Sequence, residues 1–299
     1  MTARAEAMLG AVSRSAKIIE IGPSHNPALP KADGWNVRTL DHATQAELVV
    51  KYAADPNVDT SRIEEVDYVW QGGSLAEAVP QSEHGSFDAF VASHVIEHTT
   101  DLIAFFEAAQ VLLKPSGLVG LAIPDKRYCF DYFQPLTTVG AVLDAHLARR
   151  SRHQPGTVFD HFAYAVMRSG AGAWSQQPVT DLSLMHDLDG ARHFLDAATR
   201  SDAAYMDSHN WRFTPASFQL LMLELGWLGL TDWKIDRQTQ TVGCEFYTQL
   251  RRGGAAWTRM LSGQDLQSLR LRLLKTTLIE QRAQIDWLLA GEPELGISR

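Results

Sequence analysis

The chain begins with two short apolar segments that each end at a residue suited to ligand binding. The first, Lys17-Ile-Ile-Glu-Ile-Gly22, has the composition of a buried strand and ends at a glycine. The second, Val37-Arg-Thr-Leu-Asp41, ends in a carboxylate about 20 residues after that glycine. At the edge of a parallel sheet, the glycine lets a ligand approach the backbone and the acid can accept hydrogen bonds from ribose hydroxyls. The pattern predicts a small-molecule site within residues 1–45.

Composition limits the kinds of partner that the chain can bind. Its 299 residues are 45% hydrophobic, enough for the core of one enlarged α/β domain or two small ones. The net charge of -8 argues against nucleic acid as a main partner, because phosphate binding needs a basic surface. No apolar run reaches the ~20 residues of a membrane span. Two distant cysteines and an N-terminus without an apolar signal segment predict a cytoplasmic protein without disulfides.

Hydrophobic periodicity predicts an alternation of strands and helices. Beyond Asp41, helices are predicted at 42–54, 101–113 and from Thr214 to about 225, and strands at 66–71, 87–93, 118–123, 229–237 and 242–250. Short turns between them are typical of a doubly wound, mostly parallel sheet that a hairpin completes. Residues 126–210 show no clean strand pattern and are predicted to be a largely helical insertion.

Several motifs between residues 15 and 125 occur together in one known family. The order is Glu20-Ile-Gly22, Asp41, His94-Val-Ile-Glu97-His98-Thr-Thr-Asp101 and Leu113-Lys-Pro-Ser-Gly117. It resembles the class I S-adenosylmethionine-dependent methyltransferases, and within them the methyltransferase type 11-like branch. Segments 124–138 and 209–215 look similar to bacterial methyltransferases found beside glycosyltransferases. The resemblance implies a Rossmann-like seven-stranded sheet and S-adenosyl-L-methionine as cofactor.

The loop after the first strand departs from the family pattern, E/D-x-G-x-G-x-G. Here Gly22 is followed by Pro-Ser-His-Asn-Pro, and few residues remain before Val37. A full crossover helix barely fits this length, because a parallel crossover needs a dozen or more residues. We therefore expect backbone amides and the side chains of Ser24, His25 or Asn26 to replace the helix N-terminus at the methionine carboxylate.

The resemblance implies cofactor-binding residues at the carboxyl ends of the first four strands. Asp41 is expected to bind the ribose, or alternatively to cap the next helix. Glu20 is expected to bind the cofactor's amino group, directly or through a water, and the loop after the third strand to lie against the adenine. The full set is Glu20, Gly22, Pro23, Ser24, Asn26, Asp41, Gly72, Ser74, Ser93, His94 and Val95.

Methyl transfer to a hydroxyl requires a group that removes its proton, and histidine suits this role because its pKa lies near neutrality. The candidates are His94 after the fourth strand, His146 and His161 in the insertion, and His209 where the insertion returns to the core, with His94, His161 and His209 preferred. The insertion also contains further histidines and acids, but none has the spacing of a helical metal motif such as H-E-x-x-H. No metal is therefore expected.

These inferences divide the chain into four parts. Residues 1–125 form the cofactor-binding part, 126–210 a lid over the acceptor, 211–250 the return to the sheet, and 262–290 a C-terminal helix. This helix is a candidate homodimer contact, although its apolar positions are too irregular for a strict heptad.

The predicted function is O-methylation of a small molecule or glycan. A sugar hydroxyl is favoured by resemblance alone. One alternative is a nicotinamide-nucleotide-dependent enzyme, since a strand, a glycine turn and an acid fit that class as well. Another is a degenerate, non-catalytic binding module, which the unusual glycine loop favours.

Overall fold

A computed structural model describes residues 2–176, 180–200 and 205–291. The strands of its main sheet are β1 (Ile18–Ile21), β2 (Val37–Asp41), β3 (Tyr68–Val69), β4 (Phe87–Ser93), β5 (Leu113–Pro124), β8 (Trp233–Gln238) and β9 (Glu245–Arg252). A separate two-stranded sheet consists of β6 (Val166–Arg168) and β7 (Leu182–Leu184). The main sheet is seven-stranded, in the order β3-β2-β1-β4-β5-β9-β8. β1 to β5 pair in parallel, while β9 is antiparallel to β5 and β8. The Rossmann-like, mostly parallel sheet expected from the sequence is confirmed.

Helices cover the sheet and extend beyond it. They are α1 (Ala3–Leu9), α2 (Gln45–Tyr52), α3 (Leu102–Leu112), α4 (Val139–Leu147), α5 (Pro155–Tyr164), α6 (Leu188–Thr199), α7 (Pro215–Trp227), α8 (Gly254–Met260) and α9 (Gly263–Gly291). One core cluster contains residues of α3 and α7, and another contains residues of α1 and of the segment around Leu29. Among the described residues, none of the helices combines the length and the hydropathy needed to cross a membrane.

The connection between β1 and β2 is short and almost without helix. Its only helical element is a single 3₁₀ turn, Lys31–Asp33. Ala28 and Leu29 are buried in this connection and pack with Trp35 and Val37. Packing of a loop therefore replaces the usual crossover helix, as the length of the segment predicts.

The insertion contains α4, α5 and α6, as predicted, but also the β6–β7 pair, which the sequence pattern did not predict. Phe162 of α5 stacks on Phe194 of α6 with ring centroids 3.6 Å apart. The two ends of the insertion meet, because Lys126 N–H donates to the Phe213 carbonyl at 3.0 Å and Asp125 forms a parallel bridge with Phe213. The insertion thus begins and ends at neighbouring backbone positions beside the end of β5.

The long helix α9 packs back against the domain through α7. Tyr132 O–H donates to the Gln284 carbonyl at 2.9 Å, and the Lys126 ammonium donates to Gln284 Oε1 at 3.2 Å. Arg127 donates to the Glu280 carbonyl, and its side chain also pairs with the buried Asp125 carboxylate at 2.6 Å. The charged residues after β5 are therefore buried against α9.

Candidate functional site

The turn after β1 has a backbone conformation that favours glycine. Gly22 has a φ of +59°, and a Cβ built there would lie 3.1 Å from Cγ2 of Val95. Ser24 also has a positive φ, +46°, and the Asn26 amide closes the turn by donating to the Pro23 carbonyl at 2.9 Å. The predicted residues Gly22 and Val95 are therefore in close approach across the sheet edge.

Glu20 points inward and holds the β1–β2 loop. Its carboxylate accepts the Ala28 amide at 2.7 Å and the Leu29 amide at 3.2 Å, and the side chain is 0% exposed. Burial raises the pKa of this carboxyl to about 7, although the two amide hydrogen bonds oppose the shift. Glu20 thus positions the loop that was predicted to hold the cofactor's methionine end.

Asp41 joins the loops after β1 and β2. Its Oδ2 accepts the Ser24 amide at 2.9 Å and its Oδ1 accepts the His42 amide at 2.7 Å. The residue is only 3% exposed. The His42 Nδ1 atom also lies 2.7 Å from Oδ1. A carboxylate offers about four lone-pair positions, so one, on Oδ2, remains for another donor. The alternative role of helix cap is filled by Thr44, whose side chain accepts from Glu47 N at the start of α2.

The loop after β3 forms a compact turn. Gly72 and Gly73 both have positive φ, and a Cβ on Gly73 would lie 2.4 Å from Glu77 Oε2. Ser74 caps the following 3₁₀ turn in a capping box with Glu77, and Trp70 Nε1 donates to the Gly73 carbonyl. These contacts fix the loop at the sheet edge where the adenine was predicted.

His94 follows β4 in the left-handed region, with a φ of +52°. Its Nε2 lies 2.6 Å from Oε2 of Glu245, the first residue of β9, and its side chain remains 37% exposed. Arg4 of α1 donates both to Glu245 at 2.9 Å and to Ser93 Oγ at 2.5 Å. Burial raises the pKa of Glu245, but hydrogen bonds from His94 and Tyr247 outweigh it and lower the pKa to about 2.

His161 and His209 come together in a second group beside the β4 loop. The His209 Nδ1 atom lies 2.5 Å from Asp131 Oδ2, and the His209 amide donates to His161 Nδ1 at 3.1 Å. The Phe130 ring lies against both imidazoles. Burial, followed by the charge of His209, lowers the pKa of His161 to about 4, so this imidazole is neutral at physiological pH.

Asp131 and Asp207 orient two histidines of this group. Burial raises the pKa of the Asp131 carboxyl, but the charge and hydrogen bond of His209 outweigh that effect and lower it. Asp207 Oδ1 lies 2.9 Å from His98 Nδ1, and this contact brings the pKa of Asp207 to about 2 against the effect of burial. Burial lowers the pKa of His98, whereas Asp207 and the charge of Glu97 raise it, and the net shift is upward.

Sequence reasoning missed the carboxylates that orient the candidate histidines. Glu245 lies 151 positions from His94, and Asp131 lies 78 positions from His209. No local spacing connects such pairs. Asp207 lies two positions before His209 in the sequence, but in the structure it pairs with His98, 109 positions away.

The edge of the sheet has the features that a polar, nucleoside-containing cofactor requires. The Ser24 Oγ and His25 Nδ1 atoms are buried, and neither has a hydrogen-bond partner in the described part of the chain. Buried polar atoms without partners are costly, and a bound polar group would satisfy them. Together with the free lone pair on Oδ2 of Asp41 and the close approach at Gly22, they fit S-adenosylmethionine.

Comparisons with known proteins agree with this reading. A family model described as a methyltransferase domain matches residues 4–227. No curated protein matches the sequence.

Among solved structures, the chain is similar to a putative zinc-dependent alcohol dehydrogenase from Rhodobacter sphaeroides, with 12% identity, coverage of 84% of this chain and 90% of the other, and a TM-score of 0.45. It is also similar to the CcbJ methyltransferase from Streptomyces caelestis, with 14% identity, coverage of 84% of this chain and 88% of the other, and a TM-score of 0.41. A SAM-dependent methyltransferase from Methanosarcina mazei has 12% identity, coverage of 81% of this chain and 94% of the other, and a TM-score of 0.38. With TM-scores this low, these likenesses carry no argument about function.

Proposed function

Because the chain belongs to the methyltransferase domain family, with S-adenosylmethionine as cofactor, we propose that it methylates a hydroxyl oxygen of a small molecule or glycan. The observation that supports a hydroxyl acceptor is the pairing of His94 with Glu245 at the carboxyl end of β4. A hydroxyl must lose its proton as the new bond forms, and this pair provides an oriented base at the sheet edge.

The His94 imidazole is set up to accept a proton at one defined atom. Glu245 is ionised at neutral pH, so it accepts a hydrogen bond from Nε2–H of His94. Nδ1 of His94 then carries the lone pair. The left-handed backbone of His94 is the kind of local strain that often occurs at functional residues. In this proposal Glu245 is a positioning residue and His94 is the catalytic base.

The cofactor brings the methyl group and the sulfonium leaving group, and the protein aligns the reactants. Asp41 would hold the ribose hydroxyls, and the Gly22–Asn26 loop, fixed by Glu20, would hold the methionine end. The loop from Gly72 to Ser74 would lie against the adenine. His209, oriented by Asp131, and His161, which accepts the His209 amide, would bind the acceptor under the insertion. The insertion has the size and the aromatic side chains of a lid.

A sugar hydroxyl is the first acceptor to test. Phe130 and Phe162 are partly buried aromatic residues next to His161, and aromatic rings commonly pack against sugar faces. The buried Cys129 and the partly buried Cys244 are both free thiols, which suits the reducing cytoplasm proposed as the site of action.

The exposed apolar residues of α9 support a homodimer as a further part of this proposal. Leu271, Leu278 and Ile285 recur every seven residues and are 52%, 66% and 56% exposed, with Leu274 between the first two. The opposite face, with the buried Leu273 and with Glu280 and Gln284, packs on the domain. These residues form a short apolar strip on the exposed face, which a second copy of the helix would cover even without a strict heptad.

Calorimetric titration with S-adenosylhomocysteine tests the cofactor site first. We expect micromolar binding by the wild type, and binding weakened by ~10- to 100-fold in Asp41→Ala, since hydrogen bonds to a charged group contribute ~1.5–3 kcal/mol. Asp59→Ala is the matched control, because Asp59 is an exposed acid that caps only the Thr60–Arg62 turn. Absence of binding in the wild type would favour the non-catalytic module.

An acceptor screen then tests the hydroxyl. The protein is incubated with S-adenosylmethionine and with monosaccharides, nucleotide sugars, phenols, amines or thiols, and S-adenosylhomocysteine release is measured. The proposal expects turnover with a hydroxyl acceptor only, and product analysis should place the new methyl group on oxygen. Methylation of nitrogen or sulfur alone would contradict it.

A further inference from the structure

Three potential metal ligands converge beside the β4 loop. Glu97 and His98 lie in the 3₁₀ turn Ile96–His98, and His209 lies on the segment returning from the insertion. The two segments are tied together because the Glu97 carbonyl accepts the amides of Asn210 at 2.7 Å and Trp211 at 3.2 Å. One candidate ligand atom from each of Glu97, His98 and His209 lies within 4.8 Å of those of the other two.

The Glu97 carboxylate is the least satisfied group in this region. The residue is 0% exposed, and neither carboxylate oxygen has a hydrogen-bond partner among the described residues. The Nδ1 atom of His94 lies 3.7 Å from Oε1, which is too long for a hydrogen bond. A buried carboxylate without partners destabilises the fold, and a bound cation would relieve this.

The two histidines are already oriented as metal ligands usually are. His98 Nδ1 is hydrogen-bonded to Asp207, and His209 Nδ1 to Asp131. With ionised carboxylates, both Nδ1 atoms carry the proton, and the lone pair lies on Nε2. Ligating histidines almost always donate their other ring N–H to a carboxylate, carbonyl or water in this way, which fixes tautomer and ring orientation.

We propose that Glu97, His98 and His209 form a binding site for one divalent transition-metal ion of the zinc type. Two imidazoles and one carboxylate are a ligand set of catalytic zinc sites, which leave a coordination position for water or substrate. Imidazole ligands favour zinc and its neighbours over Mg²⁺ and Ca²⁺, which select oxygen. In a tetrahedral site with bonds of ~2.0–2.1 Å the ligand atoms are about 3.3 Å apart, so side-chain adjustments of roughly 1.5 Å complete the geometry.

The site lies next to the base of the proposed reaction. Oε1 of Glu97 lies 3.7 Å from Nδ1 of His94, so an ion held by Glu97 would be near an acceptor that reaches His94. Its open position would take a hydroxyl or carboxylate oxygen of the acceptor. This last role rests on the proposed function, whereas metal binding itself does not.

Equilibrium dialysis of the full-length, untagged, chelator-stripped protein against Zn²⁺ tests the site. We expect about one ion per chain in the wild type, and at least ~100-fold weaker binding in Glu97→Gln and His209→Asn. Asp131→Asn should weaken binding by ~10- to 100-fold, as expected for a residue that orients a ligand. His193→Asn is the matched control, since His193 is an exposed histidine on α6 and should bind like the wild type.

Two further measurements keep the result clear if a variant folds poorly. In chelator, Glu97→Gln should melt at a higher temperature than the wild type because it removes a buried acid that has no hydrogen-bond partner among the described residues. Zn²⁺ should raise the melting temperature of the wild type alone. Co²⁺ should give the visible absorption of an ion bound by histidine and carboxylate in the wild type but not in His209→Asn. Three results would each overturn the proposal. They are equal Zn²⁺ affinity of the wild type and Glu97→Gln, binding of Mg²⁺ but not Zn²⁺ by the wild type, and no binding of either ion by the wild type.

S-adenosylhomocysteine titration of the same samples separates the two proposals. Zinc binding without cofactor binding would support the metal site and remove the methyltransferase function. Cofactor binding without zinc binding would overturn the metal site and leave the methyltransferase function standing.

Discussion

The Nε2 atom of His94 lies 2.6 Å from Oε2 of Glu245, which joins the carboxyl end of β4 to the start of β9. Arg4 of α1 and Tyr247 of β9 hold the same carboxylate at 2.9 Å and 2.6 Å. Glu245 is therefore fixed from three sides, and its orientation of the imidazole does not depend on a mobile surface contact.

Replacing His94 should separate catalysis from cofactor binding. His94→Asn should lower kcat by ~10²- to 10⁴-fold, the usual contribution of a general base, and leave the Kd for S-adenosylhomocysteine within about twofold. Glu245→Gln should lower kcat less, because the imidazole remains but loses its ionised partner. His193→Asn is the control and should keep wild-type kcat; an unchanged kcat in His94→Asn would remove His94 as the base.

The buried Glu20 carboxyl should make stability fall as pH rises. Its pKa is about 7 in the folded chain against an ordinary value of 4.5, so the folded state binds this proton more tightly than the unfolded state. The stabilisation is fully present below pH 4.5 and is lost as pH rises through about 7, a change of about 3 kcal/mol.

Chemical denaturation between pH 5 and 8 measures this effect. Glu20→Gln does not titrate, so its free energy of unfolding should depend less on pH than that of the wild type. Asp59→Asn, at an exposed acid, should retain the wild-type slope. Parallel curves for wild type and Glu20→Gln would show that Glu20 does not carry the shift.

Adding one methyl group at Gly120 should disturb both the packing of α1 and the proposed catalytic pair of His94 and Glu245. A Cβ at Gly120 would lie 2.5 Å from the Met8 carbonyl oxygen, so α1 must move and take Arg4 away from Glu245. We expect Gly120→Ala to destabilise the fold by ~1–3 kcal/mol and to lower kcat. Gly156→Ala, where no atom lies within 4 Å, should raise stability slightly in thermal melts.

A charge on the outer face of α9 should separate a homodimer. Leu278→Glu should give a monomer by light scattering at a concentration where the wild type is a dimer. Leu147→Glu is the control, because Leu147 is 79% exposed on α4. Truncation before α9 is a poor test, since it would uncover Lys126 and Arg127. A monomeric wild type would contradict the dimer.

The fold could be predicted because its signals are local. Apolar runs such as Phe87–Ser93 specify buried parallel strands, and Thr214-Pro215 marks the start of a helix. β6 and β7 were missed because each is only three residues long, too short for a period to show. Strand three was overextended because Gly72 and Gly73 turn the chain away directly after Val69 and Trp70.

The candidate site was harder to predict because its partners are distant in sequence. The glycine turn and the acid at Asp41 each follow a strand, so the sheet topology places them at one edge. The meeting of Glu97 and His98 with His209 depends on how the insertion folds back, and no spacing in the sequence encodes that. For the same reason, a search for short metal motifs predicts no metal here.

The backbone bridge between Asp125 and Phe213 has an evolutionary consequence. Because the segment between them begins and ends at neighbouring backbone positions beside the end of β5, its length can change without changing the order of the strands. Mutations can then lengthen, shorten or replace the segment 126–212. Such changes would alter the range of acceptors, while the proposed cofactor-binding residues before it stay the same. Such modularity makes this segment the natural place to graft a new specificity in the laboratory.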